Sequence, residues 1–155
     1  MKNLALALVL LATTSHAGGL FNDATTTPAS AGASQTTLYS TNIGAGSVTN
    51  GNAIRVRMDM TADSLGVWCD LAIKLNGVTV WWADCRWFST ARVDLEIWRE
   101  GSTGATVVGT GFTDFQWCNF QPDTLTGFAW GSVQTLTITG STDDELTLDR
   151  VGVER

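Results

Sequence analysis

Few side chains in this chain could do catalytic chemistry. The 155 residues include a single histidine, His16, so Ser-His, Cys-His and His-metal schemes all depend on one position near the N-terminus. Asp94 and Glu96 lie two residues apart, which would place both carboxylates on the same face of a strand. Charged strand positions of this kind are mostly solvent-facing, and Arg92 shares the pattern. We therefore expect no enzyme activity, no metal site and no cofactor.

The three cysteines are Cys69, Cys85 and Cys118, and an odd number leaves at least one of them outside any disulfide within a monomer. Their spacings match no zinc-site pattern. Cys69 falls on the apolar side of a strand pattern, which is typical of a small buried hydrophobe. A disulfide between Cys69 and Cys85 is the alternative in an oxidising compartment, and the sequence favours it less.

The binding chemistry that the sequence offers is aromatic. In three consecutive strands, alternation predicts that Trp68, Trp81 and Trp98 point outward, together with Arg92, Asp94 and Glu96. Exposed aromatic patches mark an interface or a ligand surface. We weigh three interpretations: contact with another subunit, stacking on sugar rings, and cover by a loop lid formed by residues 114–131. The sequence favours the first of them.

The strands that would position these residues surround one hairpin. Trp68–Leu75 and 78–83 alternate in polarity around Asn76-Gly77, which is a strong signal for a two-residue turn. A third strand is predicted over 91–99, with Val93, Leu95 and Ile97 turned inward. Further strands are expected over 37–43, 53–60, 105–115, 133–139 and 145–154, with a bulge near Asp149-Arg150 and either a bulge or a close backbone approach at Gly109 and Gly111.

This pattern gives about eight strands with short turn-rich links. We therefore predict an all-β fold, an antiparallel β-sandwich of jelly-roll-like type, over residues 37–155. Residues 18–36 are rich in Gly, Ala, Ser and Thr and are predicted to form a flexible arm or linker.

The N-terminal segment 1–17 has the three parts of an export signal. Lys2 is the positive residue, 4–12 is apolar, and Ser15-His16-Ala17 is a small-x-small site that predicts cleavage between Ala17 and Gly18. The alternative is an uncleaved apolar anchor that packs against a partner subunit. The apolar run is too short for a transmembrane span. The formal net charge is −6 and no basic cluster is present, so nucleic-acid binding is not expected.

The order of features resembles a β-sandwich domain of tailed-phage virion proteins. The resemblance covers 37–154 and rests on the stretches TLYSTNIGAGSVTNGNAIRVRMDM, LAIKLNGVTVWWAD, RVDLEIWREGSTGATVVGTG and VQTLTITGSTDDELTLDRVGVE. It implies a structural or receptor-facing module of a tail fibre or capsid decoration, often trimeric and without catalysis.

The sequence and this resemblance together predict a non-enzymatic structural or adhesive subunit of a phage virion. Its expected partners are further copies of itself, in a homo-oligomer for which the resemblance implies a trimer, or other virion proteins. The alternative is an exported β-sandwich protein, secreted or periplasmic after signal cleavage, that binds a cell-surface glycan or attaches to a surface through the tryptophan face.

Overall fold

The computed structural model describes residues 23–25, 29–62, 68–86, 89–113, 118–122, 124–142 and 146–155. Within these ranges the chain forms twelve strands: β1 (Asp23–Thr25), β2 (Ala29–Ala31), β3 (Thr36–Ile43), β4 (Ala53–Ala62), β5 (Trp68–Leu75), β6 (Val78–Arg86), β7 (Thr90–Glu100), β8 (Gly104–Thr113), β9 (Cys118–Pro122), β10 (Thr124–Thr126), β11 (Gln134–Thr142) and β12 (Leu146–Glu154). The same ranges hold no helical segment with the length and hydropathy of a bilayer span.

The strands form two antiparallel sheets. Sheet A has seven strands in the order β1-β12-β4-β7-β8-β10, and β2 also pairs with β12. Sheet B has five strands in the order β3-β11-β5-β6-β9. The inner faces of the two sheets share one hydrophobic core. The prediction of an all-β antiparallel sandwich is therefore confirmed.

The alternating pattern of β4 shows why the chain folds in this way. Ile54, Val56, Met58 and Met60 are each at most 1 % exposed, whereas the residues between them reach the surface. Burial of such a side chain contributes roughly 1.5–3 kcal/mol relative to leaving it in water. The inward sides predicted for β5, β7 and β11 are likewise confirmed, since their aliphatic residues are almost fully buried.

The β5–β6 hairpin turns at Asn76-Gly77, as predicted. Asn76 has a φ of 50° and Gly77 a φ of 79°. Two consecutive positive φ values define the type I′ turn, whose twist matches that of the flanking strands. The side chain of Asn76 also donates a hydrogen bond of 2.8 Å to Gln134 Oε1, which joins the turn to the neighbouring strand β11.

A bulge in β6 overturns one predicted orientation. The register between β5 and β6 shifts after Ile73, so that Val80 and Trp81 both fall opposite that single residue. Val80 is 1 % exposed and Trp81 is 2 % exposed, so both side chains enter the core. The predicted outward orientation of Trp81 is therefore wrong, and its neighbour Trp82 points outward instead, with 40 % of its surface exposed.

Two other irregularities occur where the sequence predicted them. The pairing of β12 with β4 shifts between Leu148 and Arg150, which confirms the expected bulge. Gly109 packs closely against β7, because an added Cβ would overlap Leu95 Cδ2 and lie 3.1 Å from the backbone oxygen of Asp94. This confirms the close backbone approach at Gly109.

Two segments contribute more regular structure than predicted. The segment predicted as a flexible arm supplies β1 and β2, and Ala31 of β2 is buried in the core. The segment 114–131, predicted as a loop lid, supplies the edge strands β9 and β10, and it places Phe128 and Trp130 in the core at 2 % exposure. The prediction of a loop is therefore wrong at β9 and β10, and the four short strands β1, β2, β9 and β10 explain why twelve are found where about eight were expected. The export signal and its Ala17–Gly18 site lie outside the described residues.

Candidate functional site

The outer face of sheet A carries a dense set of charged side chains. They lie there because β4, β7 and β12 alternate strictly between core and surface outside the β12 bulge. The charged face consists of four arginines, four carboxylates and one tryptophan, namely Arg55, Arg57, Asp59, Arg92, Asp94, Glu96, Trp98, Arg150 and Glu154.

The register sets opposite charges against each other. Across β4 and β7, Arg55 faces Glu96, Arg57 faces Asp94, and Asp59 faces Arg92. On the other side of β4, Arg55 faces Glu154 and Asp59 faces Arg150. Directly opposed unlike charges stabilise an antiparallel pair, whereas like charges in these positions would repel.

Asp94 is the centre of this arrangement. It accepts hydrogen bonds from Arg55 Nε at 2.9 Å and Arg55 Nη2 at 2.7 Å, one to each carboxylate oxygen. Arg57 Nε lies 3.4 Å from Asp94 Oδ2. The pKa of the Asp94 carboxyl is held below its ordinary value, chiefly by the hydrogen bonds from Arg55, and partial burial opposes this only in part. Asp94 is thus an ionised acceptor.

The remaining ion pairs extend along both flanks of Asp94. Arg92 Nε lies 2.6 Å from Asp59 Oδ1, and Arg150 Nη1 lies 3.9 Å from Asp59 Oδ2. Arg57 Nη1 lies 3.2 Å from Glu154 Oε1. Each of these carboxylates has a guanidinium partner, and the four positive and four negative charges of the face balance.

The charged face is concave along β12. A depression of about 490 Å³ lies between Asp59, Asp94, Arg150 and Glu154, and its floor includes Gly152. A second depression of about 500 Å³ lies beside Arg55, Glu96 and Trp98. Both are bordered by Glu154, so the two depressions adjoin at this residue, and we refer to them together as the trough.

Trp98 closes one end of the trough. It is 38 % exposed, as the sequence predicted for this tryptophan. Its indole Nε1 donates a hydrogen bond of 3.1 Å to Glu96 Oε2, two residues away on the same strand. This bond holds the ring in place and uses its one polar atom, so what the ring still offers to a ligand is its aromatic surface.

The predicted site is only partly assembled. Trp98, Arg92, Asp94 and Glu96 do share one face of sheet A. Trp81 belongs to sheet B and is buried in the core. Trp68 begins β5, also in sheet B, and its side chain lies outside the described residues. The three tryptophans therefore do not form one surface.

The sequence reasoning missed five members of the charged face, namely Arg55, Arg57, Asp59, Arg150 and Glu154. Arg55 and Glu154 come from strands distant in the chain, and only the pairing of β4 with both β7 and β12 brings them together. The strict alternation of Arg55, Arg57 and Asp59 already indicated an exposed charged strand. No signal in the sequence identified which strands would be its neighbours.

The outer face of sheet B presents a smaller feature. Asp70 and Asp84 are directly opposed on β5 and β6, and the pKa of Asp70 is raised by burial and by the charge of Asp84. Trp82 lies one step further along the same face, opposite Ala72.

The three cysteine positions lie in the same sheet, with Cys69 opposite Cys85 and Cys85 opposite Cys118. Cys69 is fully buried, which confirms the prediction for this residue. The register is also compatible with a Cys69–Cys85 disulfide, which stays the less favoured alternative.

The fold and the charged face define an all-β sandwich with one polar, concave, tryptophan-bearing surface. Comparison of the chain with protein-family models, with curated proteins and with solved structures gives no match in any of the three. The resemblance to phage virion domains accordingly stays a prediction.

Proposed function

We propose that this protein is a non-catalytic adhesive module that binds a neutral carbohydrate in the trough on sheet A. The proposal rests on the position of Trp98. Its partly exposed indole is held by a hydrogen bond to Glu96 at the end of a trough that is lined with planar charged groups. Sugar rings have an apolar face that stacks on indole, and hydroxyls that exchange hydrogen bonds with side chains of this kind.

The charge balance supports a neutral ligand. Asp94, Asp59 and Glu154 each have an arginine partner, and Glu96, which faces Arg55 across the strands, accepts the indole hydrogen bond of Trp98. An ionic ligand would have to displace one of these partners. A hydroxyl-rich ligand needs only hydrogen-bond donors and acceptors, and the guanidinium groups and carboxylates supply both.

The dimensions support a chain of sugar units. Trp98 and Arg92 are six residues apart on β7, which corresponds to roughly 20 Å along an extended strand. The trough is open to solvent along this length and is bordered by Glu154 in both of its halves. A ligand that follows it would place one ring on Trp98 and further units against the arginines.

The state of Asp94 supports a binding role without catalysis. A general acid in a carboxylate pair has to hold a proton near neutral pH. The hydrogen bonds from Arg55 lower the pKa of Asp94 and so favour its ionised form. The nearby Glu96 accepts the indole hydrogen bond of Trp98. Both carboxylates therefore orient neighbouring side chains.

Self-association through the same face is the competing explanation, and it is the mode expected of a virion structural subunit. It would remove four arginines and four carboxylates from water at once. The cost of desolvating paired charges usually offsets their attraction, so such an interface gains little. The loss of Trp81 from the predicted patch also removes much of its apolar area. Both arguments favour a sugar ligand.

The test compares two exposed tryptophans on opposite sheets. Retention of the full chain is measured by electrophoresis through gels that contain soluble glucan, mannan or galactan, and on a printed glycan array. Trp98→Ala should lose retention at least tenfold. Trp82→Ala is the matched control because Trp82 is 40 % exposed on sheet B, and it should behave as the wild type. Equal loss in both variants, or no retention of the wild type on any neutral glycan, would overturn the proposal.

Light scattering on the same samples separates the competing explanation. If the charged face joins subunits, Trp98→Ala lowers the oligomer mass and leaves circular dichroism unchanged. If the face binds sugar, the mass stays the same and only retention changes.

A further inference from the structure

Three cysteine positions form one row across sheet B. Cys69 on β5 is the register partner of Cys85 on β6, and Cys85 is in turn the partner of Cys118 on β9. They are far apart in sequence, and only the strand order β5-β6-β9 brings them to one level. Because Cys85 stands in the middle, it can form a disulfide with one neighbour at a time. The sheet geometry distinguishes the two choices.

The hairpin turn fixes the type of each cross-strand pair. Leu75 and Val78 flank the two-residue turn, and the residues that flank such a turn exchange both of their backbone hydrogen bonds. Hydrogen-bonded and non-hydrogen-bonded pairs then alternate along β5, so every second residue back from Leu75 is hydrogen-bonded to β6. The bulge at Val80 adds a residue to β6 and none to β5, so this alternation continues to Cys69.

It follows that Cys69 and Cys85 form a hydrogen-bonded pair. The backbone N–H and C=O of Cys85 then point toward β5, because both polar groups of a strand residue point to the same side. On its other side Cys85 therefore meets Cys118 in a non-hydrogen-bonded pair. Pairs of this second type have Cα atoms about 4.5 Å apart instead of about 5.5 Å, and their side chains are closer.

A disulfide needs Cβ atoms only about 3.5–4.5 Å apart. The non-hydrogen-bonded pair approaches this separation with less movement of the backbone. We infer that Cys85 and Cys118 form a disulfide that fastens β9 to β6, in place of the Cys69–Cys85 bridge that the sequence left as the less favoured alternative. Formation joins the two sulfur atoms, releases both thiol protons and passes two electrons to an external disulfide oxidant such as oxidised glutathione.

The position of β9 gives the bridge a structural purpose. β9 is the outermost strand of sheet B and spans five residues, Cys118–Pro122. Within the described ranges its pairing is with β6. A short edge strand held by one neighbour is among the first parts of a sheet to open. A covalent link at its first residue would keep it in register, whereas Cys69 is already 0 % exposed in the core.

Trypsin separates the three cysteines into different peptides, which makes the test direct. Cleavage after Arg57, Lys74, Arg86, Arg99 and Arg150 places Cys69 in 58–74, Cys85 in 75–86 and Cys118 in 100–150. The full chain is incubated with oxidised glutathione, alkylated, and digested without reduction for mass spectrometry. We expect a linked species of 75–86 with 100–150. A link between 58–74 and 75–86, or alkylation of all three cysteines, would overturn the inference.

Thermal unfolding provides an independent measurement. Reduction should lower the unfolding midpoint of the wild type by on the order of ten degrees, because a loop of more than thirty residues is released. Cys69→Ala is the matched control and should keep both the linked peptide and the sensitivity to reductant. Cys118→Ser should lose both. Equal sensitivity to reductant in Cys69→Ala and Cys118→Ser would contradict the assignment.

Discussion

Arg55 and Asp94 are joined diagonally across β4 and β7. Their hydrogen bonds run from Nε to Oδ1 at 2.9 Å and from Nη2 to Oδ2 at 2.7 Å. The direct register partner of Asp94 is Arg57, which is the next outward-facing residue after Arg55 on β4. Asp94 thus takes its strongest contact from a diagonal neighbour, and the two arginines are brought together over one carboxylate. Asp94 borders one half of the trough and Arg55 the other, and their ion pair makes the stability of the face depend on pH.

The first prediction concerns the loss of folding stability at low pH that is linked to Asp94. The folded state lowers the pKa of Asp94, so its contribution to stability is present above the unfolded pKa of about 3.9 and is lost as the pH falls. Asp94→Asn should cost about 0.5–1 kcal/mol at pH 7, a figure discounted for solvent screening. The wild type and the variant should converge in urea denaturation between about pH 5 and pH 2. Parallel curves over this range would show that the ion pair does not act in this way.

The second prediction concerns Asp70, for which the dependence of folding stability on pH has the opposite sign. Burial and the nearby Asp84 raise its pKa, so the ionised carboxylate is disfavoured in the folded state. The stability linked to this group is fully present below the unfolded pKa and is lost as the pH rises through the raised pKa of the folded state. Asp70→Asn should therefore stabilise the protein at pH 7, by less than about 1 kcal/mol. A lower unfolding midpoint at pH 7, with no gain relative to pH 3, would contradict this reading.

Trp81 and Trp82 show which side-chain orientations could be predicted from the sequence and which could not. Period-2 alternation placed β4, β5 and β7 correctly, because a buried face imposes one register on each strand. It failed in β6, where one extra residue at Val80 inverts every later side chain. Nothing in the local sequence marks that bulge, since Val80, Trp81 and Trp82 suit either face. The extra residue is fixed by the packing of the two sheets.

Short strands were missed for a different reason. β1, β2, β9 and β10 have three to five residues each, too few for a periodic pattern to be read. They form because longer strands offer them a free edge. The trough was missed for the same kind of reason, because it depends on β12 lying beside β4 although some ninety residues separate them.

The third prediction tests the bulge through stability. Trp81→Ala should destabilise the protein by about 3–5 kcal/mol, the range for removing a large aromatic side chain from a core. Trp82→Ala, one residue away on the outer face, should cost under about 1 kcal/mol. Urea denaturation followed by circular dichroism measures both. Comparable losses in the two variants would show that β6 is not bulged as described.

The fourth prediction concerns the contact of β8 with β7. An added Cβ at Gly109 would overlap Leu95 Cδ2 and press on the backbone of Asp94. Gly109→Ala should therefore cost about 1–3 kcal/mol, the usual range for overpacking. Gly152→Ala is the control, since an added Cβ there meets nothing within 4 Å. It should leave the unfolding midpoint within about 0.5 kcal/mol of the wild type. Equal tolerance at both positions would argue against the close approach.

The last prediction joins this glycine to the proposed ligand. Gly152 lies in the floor of the trough between Arg57 and Glu154, and the space above it is open. A side chain long enough to reach those groups would occupy the volume in which a sugar unit would lie. Gly152→Gln should therefore weaken glycan retention about tenfold or more, a loss of roughly 1.4 kcal/mol, while the fold is kept. Gly152→Ala should retain the ligand nearly as well as the wild type. If Gly152→Gln binds normally in a protein whose Trp98→Ala variant does not, the ligand contacts the tryptophan end alone, and the half of the trough bordered by Arg150 takes no part.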